Sequence, residues 1–293
     1  MNHRMPPLHV GHGTTVGALT LFPVWVQAPV LHGLEWCSAA LEVGERAGRP
    51  VVGEIVALNR SHRPLVVLEG DIVVGGWQDR MLCDSRVMAP GESRVLGARC
   101  VEHGRWSGQT GHRAGGRRAP PALCSRNRSP RVAEGDRQQS VWAGIGRYET
   151  TLGRSPTAAL TDHLDRTVAE ARRFPRPLEG QQGVIFGIGG QVLGVELFGN
   201  PRGLMQRWTG VLEAALLDAT LAPRRTTLAR AARSFARGID RMCIDGEADA
   251  GLARRVALTW GSLYGCAMSL GESGRLVQLT ILDESHPALT VAA

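Results

Sequence analysis

The sequence predicts an α+β protein built mainly on antiparallel β sheet, in a sandwich or barrel-like arrangement, with three to four helices. Three observations predict it. Glycine and proline are abundant, at 37 and 16 of 293 residues, which favours many turns over long helices. Turn residues punctuate short β-type runs at roughly ten-residue intervals as far as residue 103. Beyond residue 132 the apolar period lengthens to that of amphipathic helices.

Taken in order, Thr14 to Ala28 reads as one or two strands broken at Pro23, and Ala39 with Leu41 as a short helical stretch. Val51 to Leu58 is strand-like and ends at the polar turn 59–63. Leu65 to Leu68, Asp71 to Gly75, Arg80 to Met88 and, after a Pro90-Gly91 turn, Val95 to Glu102 follow as further strands. The stretch 104–131 has neither apolar period and is expected to be a long loop. Val141, Ile145, Tyr148 and Leu152 then mark one helix. Ser155 as N-cap and Pro156 at the first helical position open a second, with Leu160, Leu164 and Val168 as its stripe and Pro175 beyond its end. Gly189-Gly190 between Val184 to Ile188 and Val192 to Phe198 is a two-residue hairpin signal. A third helix spans Arg202 to Ala219 and a fourth Arg224 to Ile239. Cys243 to Arg255 reads as irregular. Val256 to Trp260, Leu263 to Leu270 and Leu276 to Leu282 close the chain as strands, with 271–274 as the last turn. One compact unit over 1–293 is expected: β-rich 14–103, an Arg/Gly-rich loop 104–131, then helices and late hairpins 132–284 that join the early sheet.

Composition excludes several chemistries. All 34 basic residues are Arg and none is Lys, so a Schiff base, a P-loop lysine and a Ser-Lys dyad are ruled out. Six scattered Cys without a C-x-x-C pair read as free thiols, and with no apolar leader after Met1 a reducing, cytoplasmic setting is expected. The apolar runs are too short to span a membrane. Charge is concentrated: between Gly104 and Arg131 lie seven Arg and no acid, matching the whole surplus of 34 − 27 = +7. A basic loop of that kind invites an anionic partner.

The densest group of reactive side chains is Cys100-Val101-Glu102-His103-Gly104-Arg105-Trp106, at a strand end opening into the basic loop. There a carboxylate, an imidazole and a guanidinium can meet a ligand on a rigid frame, although a buried thiol, a salt bridge and a core ring would look the same. Glu69 and Asp71 share a strand face and could divide acid and base roles, or simply flank a turn. Gly187 to Gly194 looks like a phosphate-binding glycine loop, but a strand follows it where a helix is required. His9 and His12 form the only close His pair, and no Cys or carboxylate stands beside them, so no metal site is assigned. A Cys-His pair from Cys100 or Cys124 with His103 or His112 lacks a third member. Trp142 with Ile145 and Trp208 with Leu212 are most simply core.

Gly75-x-x-Gln78-x-Arg80, Cys100-Val101-Glu102-x-Gly104-Arg105-Trp106, Ser155-Pro156-Thr157 and then Gly183-Val184-Ile185-Phe186-x-Ile188-Gly189-Gly190-x-Val192-x-Gly194-x-Glu196-Leu197-Phe198 occur in this order. In this the chain resembles the ADP-ribosylglycohydrolase and rhodanese-phosphatase-superfamily associated protein domain family, from about Gly17 to Leu282. The resemblance implies association with ADP-ribose- and nucleotide-processing partners. It makes Gln78, Arg80, Glu102, Arg105 and Glu196 candidates for a ligand site. Asp79 stands where an amide is expected, and its charge would alter the ligand.

The resulting expectation is a protein, binding or enzymatic, for a phosphorylated, nucleotide or ADP-ribose-like anionic small molecule, acting without a cofactor. Glu102, with Glu69 or Asp71 as second carboxylate, would be catalytic, and hydrolysis is the chemistry two carboxylates suit. Gln78, Asp79, Arg80, Arg105, Trp106 and Glu196 would bind the ligand, the two Arg gripping anionic oxygens and Trp106 covering a base or sugar. The alternative is a non-enzymatic module that holds nucleic acid or an acidic partner through the Arg-rich loop.

Overall fold

A computed structural model describes residues 6–46, 51–128, 132–271 and 274–290. The first half runs β1 (Leu8–Val10), β2 (Thr14–Val16), β3 (Leu19–Val26), β4 (Leu41–Gly44), β5 (Glu54–Asn59), β6 (Leu65–Val67), β7 (Asp71–Gly75), β8 (Arg80–Leu82), β9 (Arg86–Met88), β10 (Ser93–Cys100) and β11 (Gly111–Arg118). Four helices follow: α1 (Pro121–Arg128), α2 (Arg137–Leu152), α3 (Leu160–Asp165) and α4 (Val168–Ala171). The remainder is β12 (Gly183–Ile188), β13 (Gln191–Phe198), α5 (Pro201–Ala219), α6 (Ala229–Ile239), β14 (Cys243–Ala250), β15 (Ala253–Trp260), β16 (Leu263–Leu270) and β17 (Arg275–Asp283). The α+β class is as expected, with six α-helices among the described residues where three to four were predicted. No helix there is long and apolar enough to cross a membrane.

Contacts cluster into two units. The first takes the described residues of Met1–Gly33, Arg172–Trp208 and Asp218–Ala293. Its sheet has the order β1-β3-β12-β13-β17-β16-β15-β14, with β2 also paired to β3, and every pairing is antiparallel. The late hairpins join β3 through β12, and not the barrel strands of the early β-rich stretch. Gly189 and Gly190, both at positive φ, make the predicted hairpin turn. The α6 helix lays Ala232, Phe235, Ala236 and Ile239 on Phe22, Val24, Ile185, Val195, Leu197, Leu279 and Ile281 of this sheet. Its Arg230, Arg233 and Arg237 face solvent, the division a one-sided helix requires.

Three details of this unit differ from the sequence reading. β3 runs through Pro23, and the chain turns instead at Gly17, which has φ +61. The fourth helix begins at Ala229 rather than Arg224. Cys243 to Ala250, read as irregular, is the end strand β14; its residues 243–249 are all exposed, so no burial pattern marks it. Of the last turn, 272 and 273 lie outside the described residues.

The second unit, Leu34–Ala171 with Thr209–Leu217, holds a closed barrel in the order β10-β5-β4-β11-β7-β8. Leu41, Val43, Ile55, Ala57, Val73, Leu82, Leu96, Ala98 and Ala114 fill it, with Leu65 and Val67 of β6 and Met88 of β9 in the same cluster. The predicted 80–88 strand is broken, β8 serving the barrel and β9 pairing with β6. The stretch 104–131 is not one long loop, since β11 and α1 lie inside it; 129–131 fall outside the described residues. β11 escapes period-based reading because its residues are Gly, His, Arg and one buried Ala, with a register shift between Ala114 and Arg118. The second helix also starts later, at Leu160 with Ala159 as its cap. Residues 155–159 instead lie along 101–104: Glu102 bridges Ala159, and the Gly104 N–H donates to the Thr157 carbonyl at 2.7 Å.

Candidate functional site at one mouth of the barrel

Antiparallel register places the end of β4, the end of β7, the start of β8, the end of β10 and the start of β11 together. His112 pairs with both Val43 and Gly75, and Cys100 with Arg80. This barrel mouth therefore gathers Glu45, the turn 75–79, Arg80, Glu102 and His112. The turn depends on glycine. Gly75 and Gly76 have φ of +104 and +56, and a Cβ on Gly76 would lie 2.1 Å from the His112 ring nitrogen Nε2.

Glu102 sits in a cradle of donors. Its Oε1 accepts from Arg105 Nε at 2.9 Å and Thr157 Oγ1 at 2.8 Å; its Oε2 accepts from Arg105 Nη2 at 2.6 Å and the Asp79 N–H at 3.0 Å. Burial alone would raise its carboxyl, but the bonds from Arg105, Asp79 and Thr157 outweigh it and hold the group below the ordinary glutamate value. Asp79 moves the other way. Burial pushes its carboxyl up, Glu102 reinforces this, and bonds from the Gly75 N–H at 2.9 Å and Thr161 Oγ1 at 2.9 Å oppose it without cancelling it. The two neighbouring carboxylates are thus shifted in opposite directions.

Arg105 is fully engaged. Beyond Glu102 it donates to the carbonyls of Gly76 at 2.8 Å and Ser107 at 2.9 Å and lies 3.5 Å from Asp79 Oδ1. It ties the 104–110 segment to the 75–79 turn. Arg80 differs: its side chain is 0% exposed, Nη1 donates to Gln78 Oε1 at 2.8 Å, and Nε and Nη2 have no hydrogen-bond partner. Gln78 in turn donates to the Glu102 carbonyl at 2.9 Å. The ring of Trp106, 45% exposed, lies 5.5 Å from the Arg80 guanidinium carbon and meets Trp77 edge-on at 5.4 Å. Such a face is a platform for a planar group with a cation behind it.

The other predicted residues lie elsewhere. Glu69 is buried with Asn127 Nδ2 at 3.0 Å and Arg128, an α1 pair, as its partners. Asp71 Oδ2 accepts the Leu68 N–H at 3.0 Å, which closes the turn before β7. Asp71 opens β7 opposite Arg118, at the other end of that strand from the 75–79 turn. Glu196 is buried in the sheet of the other unit and accepts from Gln278 at 3.3 Å. Cys100 Sγ is buried and donates to the Glu102 carbonyl, and burial raises its thiol. The chain 78–80, 102, 105 and 106 is therefore brought together, and the second carboxylate beside Glu102 is Asp79.

Two further residues complete the mouth: Glu45, which the sequence reading passed over, and His112, which it weighed only as a partner for a cysteine. Glu45 Oε1 accepts from the Trp77 N–H at 3.1 Å and from His112 Nε2 at 3.1 Å, and lies 3.6 Å from Arg80 Nη2. Burial lowers the His112 imidazole, and Glu45 only partly offsets it. Position just past the end of β4 was the only signal for Glu45, and the strand that carries His112 was itself hidden.

Comparison with curated proteins and with solved structures finds no match. Residues 7–282 match one family model, whose extent takes in both the barrel mouth and the large sheet. The chain belongs to the ARG and Rhodanese-Phosphatase-superfamily-associated Protein domain family.

Proposed function

We propose that the barrel mouth binds a phosphorylated, nucleotide or ADP-ribose-like small molecule, with Arg80 holding an anionic oxygen and Trp106 covering a planar or sugar group. The supporting observation is the free side of Arg80. Nε and Nη2 form the edge of a guanidinium that clamps an oxyanion through two parallel bonds. A buried cation whose edge makes no hydrogen bond, with Glu45 Oε1 3.6 Å from Nη2 and a half-exposed indole beside it, is an arrangement that a ligand completes. Arg105 acts here as a brace, its donors being committed to Glu102 and two carbonyls. If the bound molecule is hydrolysed, Asp79 is the group disposed to hold a proton and Glu102 the one disposed to stay ionised.

Calorimetric titration with ADP-ribose, AMP and inorganic phosphate tests the reading. At least one should bind, and Arg80→Lys, which keeps the charge but loses the fork, should weaken it about tenfold, with Trp106→Ala weakening the nucleotides more than phosphate. Absence of binding by the folded wild type, or undiminished binding by both variants, overturns it.

A further inference from the structure

Beneath Trp106 the mouth holds four buried polar atoms without hydrogen-bond partners: Arg80 Nε and Nη2, Glu45 Oε2 and His112 Nδ1. The side chains are 0%, 1% and 0% exposed. They form one linked group, since Glu45 Oε1 contacts both His112 and Arg80. Buried groups left so cost free energy unless something pairs with them.

Their types constrain what does. The two nitrogens of Arg80 are donors. Glu45 Oε2 is an acceptor, and so is His112 Nδ1, because the neutral imidazole places its hydrogen on the Nε2 that faces Glu45. One cation and one anion already face each other around a neutral ring, so an oxyanion admitted there must bring a hydrogen for the Glu45 carboxylate. A bare anion would satisfy the donors but would meet the Glu45 carboxylate and leave both acceptors empty. The matching group carries an oxyanion and, adjacent to it, hydroxyl hydrogens.

Resting on the binding site proposed above, we infer that Glu45 and His112 are specificity residues that select a hydroxylated oxyanion. The oxyanion lies on the Arg80 fork, and a neighbouring hydroxyl donates to Glu45 Oε2 or His112 Nδ1. Two sources share this chemistry: a phosphate ester of a polyol or sugar, and a 2-hydroxycarboxylate. Recognition by paired buried groups discriminates strongly, because an analogue without the hydroxyl leaves the acceptors unsatisfied.

The experiment compares matched probes on the full chain: glycerol 3-phosphate with propyl phosphate, and lactate with propanoate. In one pair the hydroxylated member should bind at least tenfold tighter, and the pair that shows it identifies the source. Glu45→Gln and His112→Gln, with folding checked by thermal unfolding, should each reduce that ratio towards one. Equal affinities within both pairs would mean that water serves the acceptors and would overturn the inference, leaving the Arg80 reading intact. Failure of all four probes, together with ADP-ribose, AMP and phosphate, would instead remove the Arg80 reading and this inference with it.

Discussion

Glu102 takes four hydrogen bonds while 5% exposed, so its first contribution is to hold 75–79, 105 and 157 in register. Removing it strands the Arg105 guanidinium and the Asp79 N–H. Glu102→Ala should cost roughly 3–5 kcal/mol, and Glu102→Gln about 1.5–3, read by urea unfolding. The pH dependence has a definite sign. A folded-state value below the ordinary 4.5 means the contribution is fully present above that value and fades as pH falls through the depressed one. Wild type and Glu102→Gln should therefore differ most near neutrality and converge in acid. Asp79, raised from 3.8, works oppositely: its burial opposes folding once it is ionised, and the opposition fades as pH falls through its raised value. The sequence made the cluster 100–106 visible through its density of reactive side chains. It could not show that Glu102 pairs with Asp79 rather than Glu69 or Asp71, because which acids meet is decided by the strand-to-strand turn and not by spacing along one strand.

Among the elements, the β7–β8 connection has the most influence on the site. A side chain at position 76 would overlap the His112 imidazole and would also need φ near +56. Gly76→Ala should destabilise by about 1–3 kcal/mol, and it should weaken binding of the hydroxylated probe more than Ser155→Ala, a substitution at the start of the 155–159 segment. Comparable losses in both would place the Gly76 effect in global stability alone. The Ser155 position also shows how an element was misread. Its side chain does cap locally, accepting the Ala159 N–H at 2.9 Å, but the helix starts only at Leu160 because the intervening residues pair with 101–104. A capping signal is local, whereas that bridge joins chain segments more than fifty residues apart, so tertiary pairing won. Where local and global preferences agree, as in the Gly189-Gly190 hairpin and α5, the reading held.

At the scale of the whole molecule the basic surplus has a different fate from the one its position along the chain suggested. Arg105 bonds Glu102, Arg117 pairs with Asp165, Arg128 pairs with Glu69, and Arg118 and Arg126 are buried. Of the seven, Arg113 is exposed and Arg131 lies outside the described residues. Short labelled oligonucleotides should accordingly bind weakly, and anisotropy changes should vanish by about 200 mM salt. Tight binding that survives that salt and is lost in Arg113→Gln would restore a nucleic-acid role. Sheet class, late hairpins and the long helices were legible because each rests on a local period. Closure of the barrel was not, for β4 and β11 meet across more than sixty positions and β11 offers almost no apolar residue to announce it.

The two sheets also treat their margins differently. A closed barrel offers no free backbone rim, but the large sheet ends at β14, where Asp245, Glu247 and Asp249 stand exposed along the strand. Charged side chains there, with Glu247 paired to Arg254 of β15, disfavour a second sheet adding on side by side, a common guard against self-association. Replacing all three acids with their amides should therefore leave the chain folded yet prone to clump, read by light scattering.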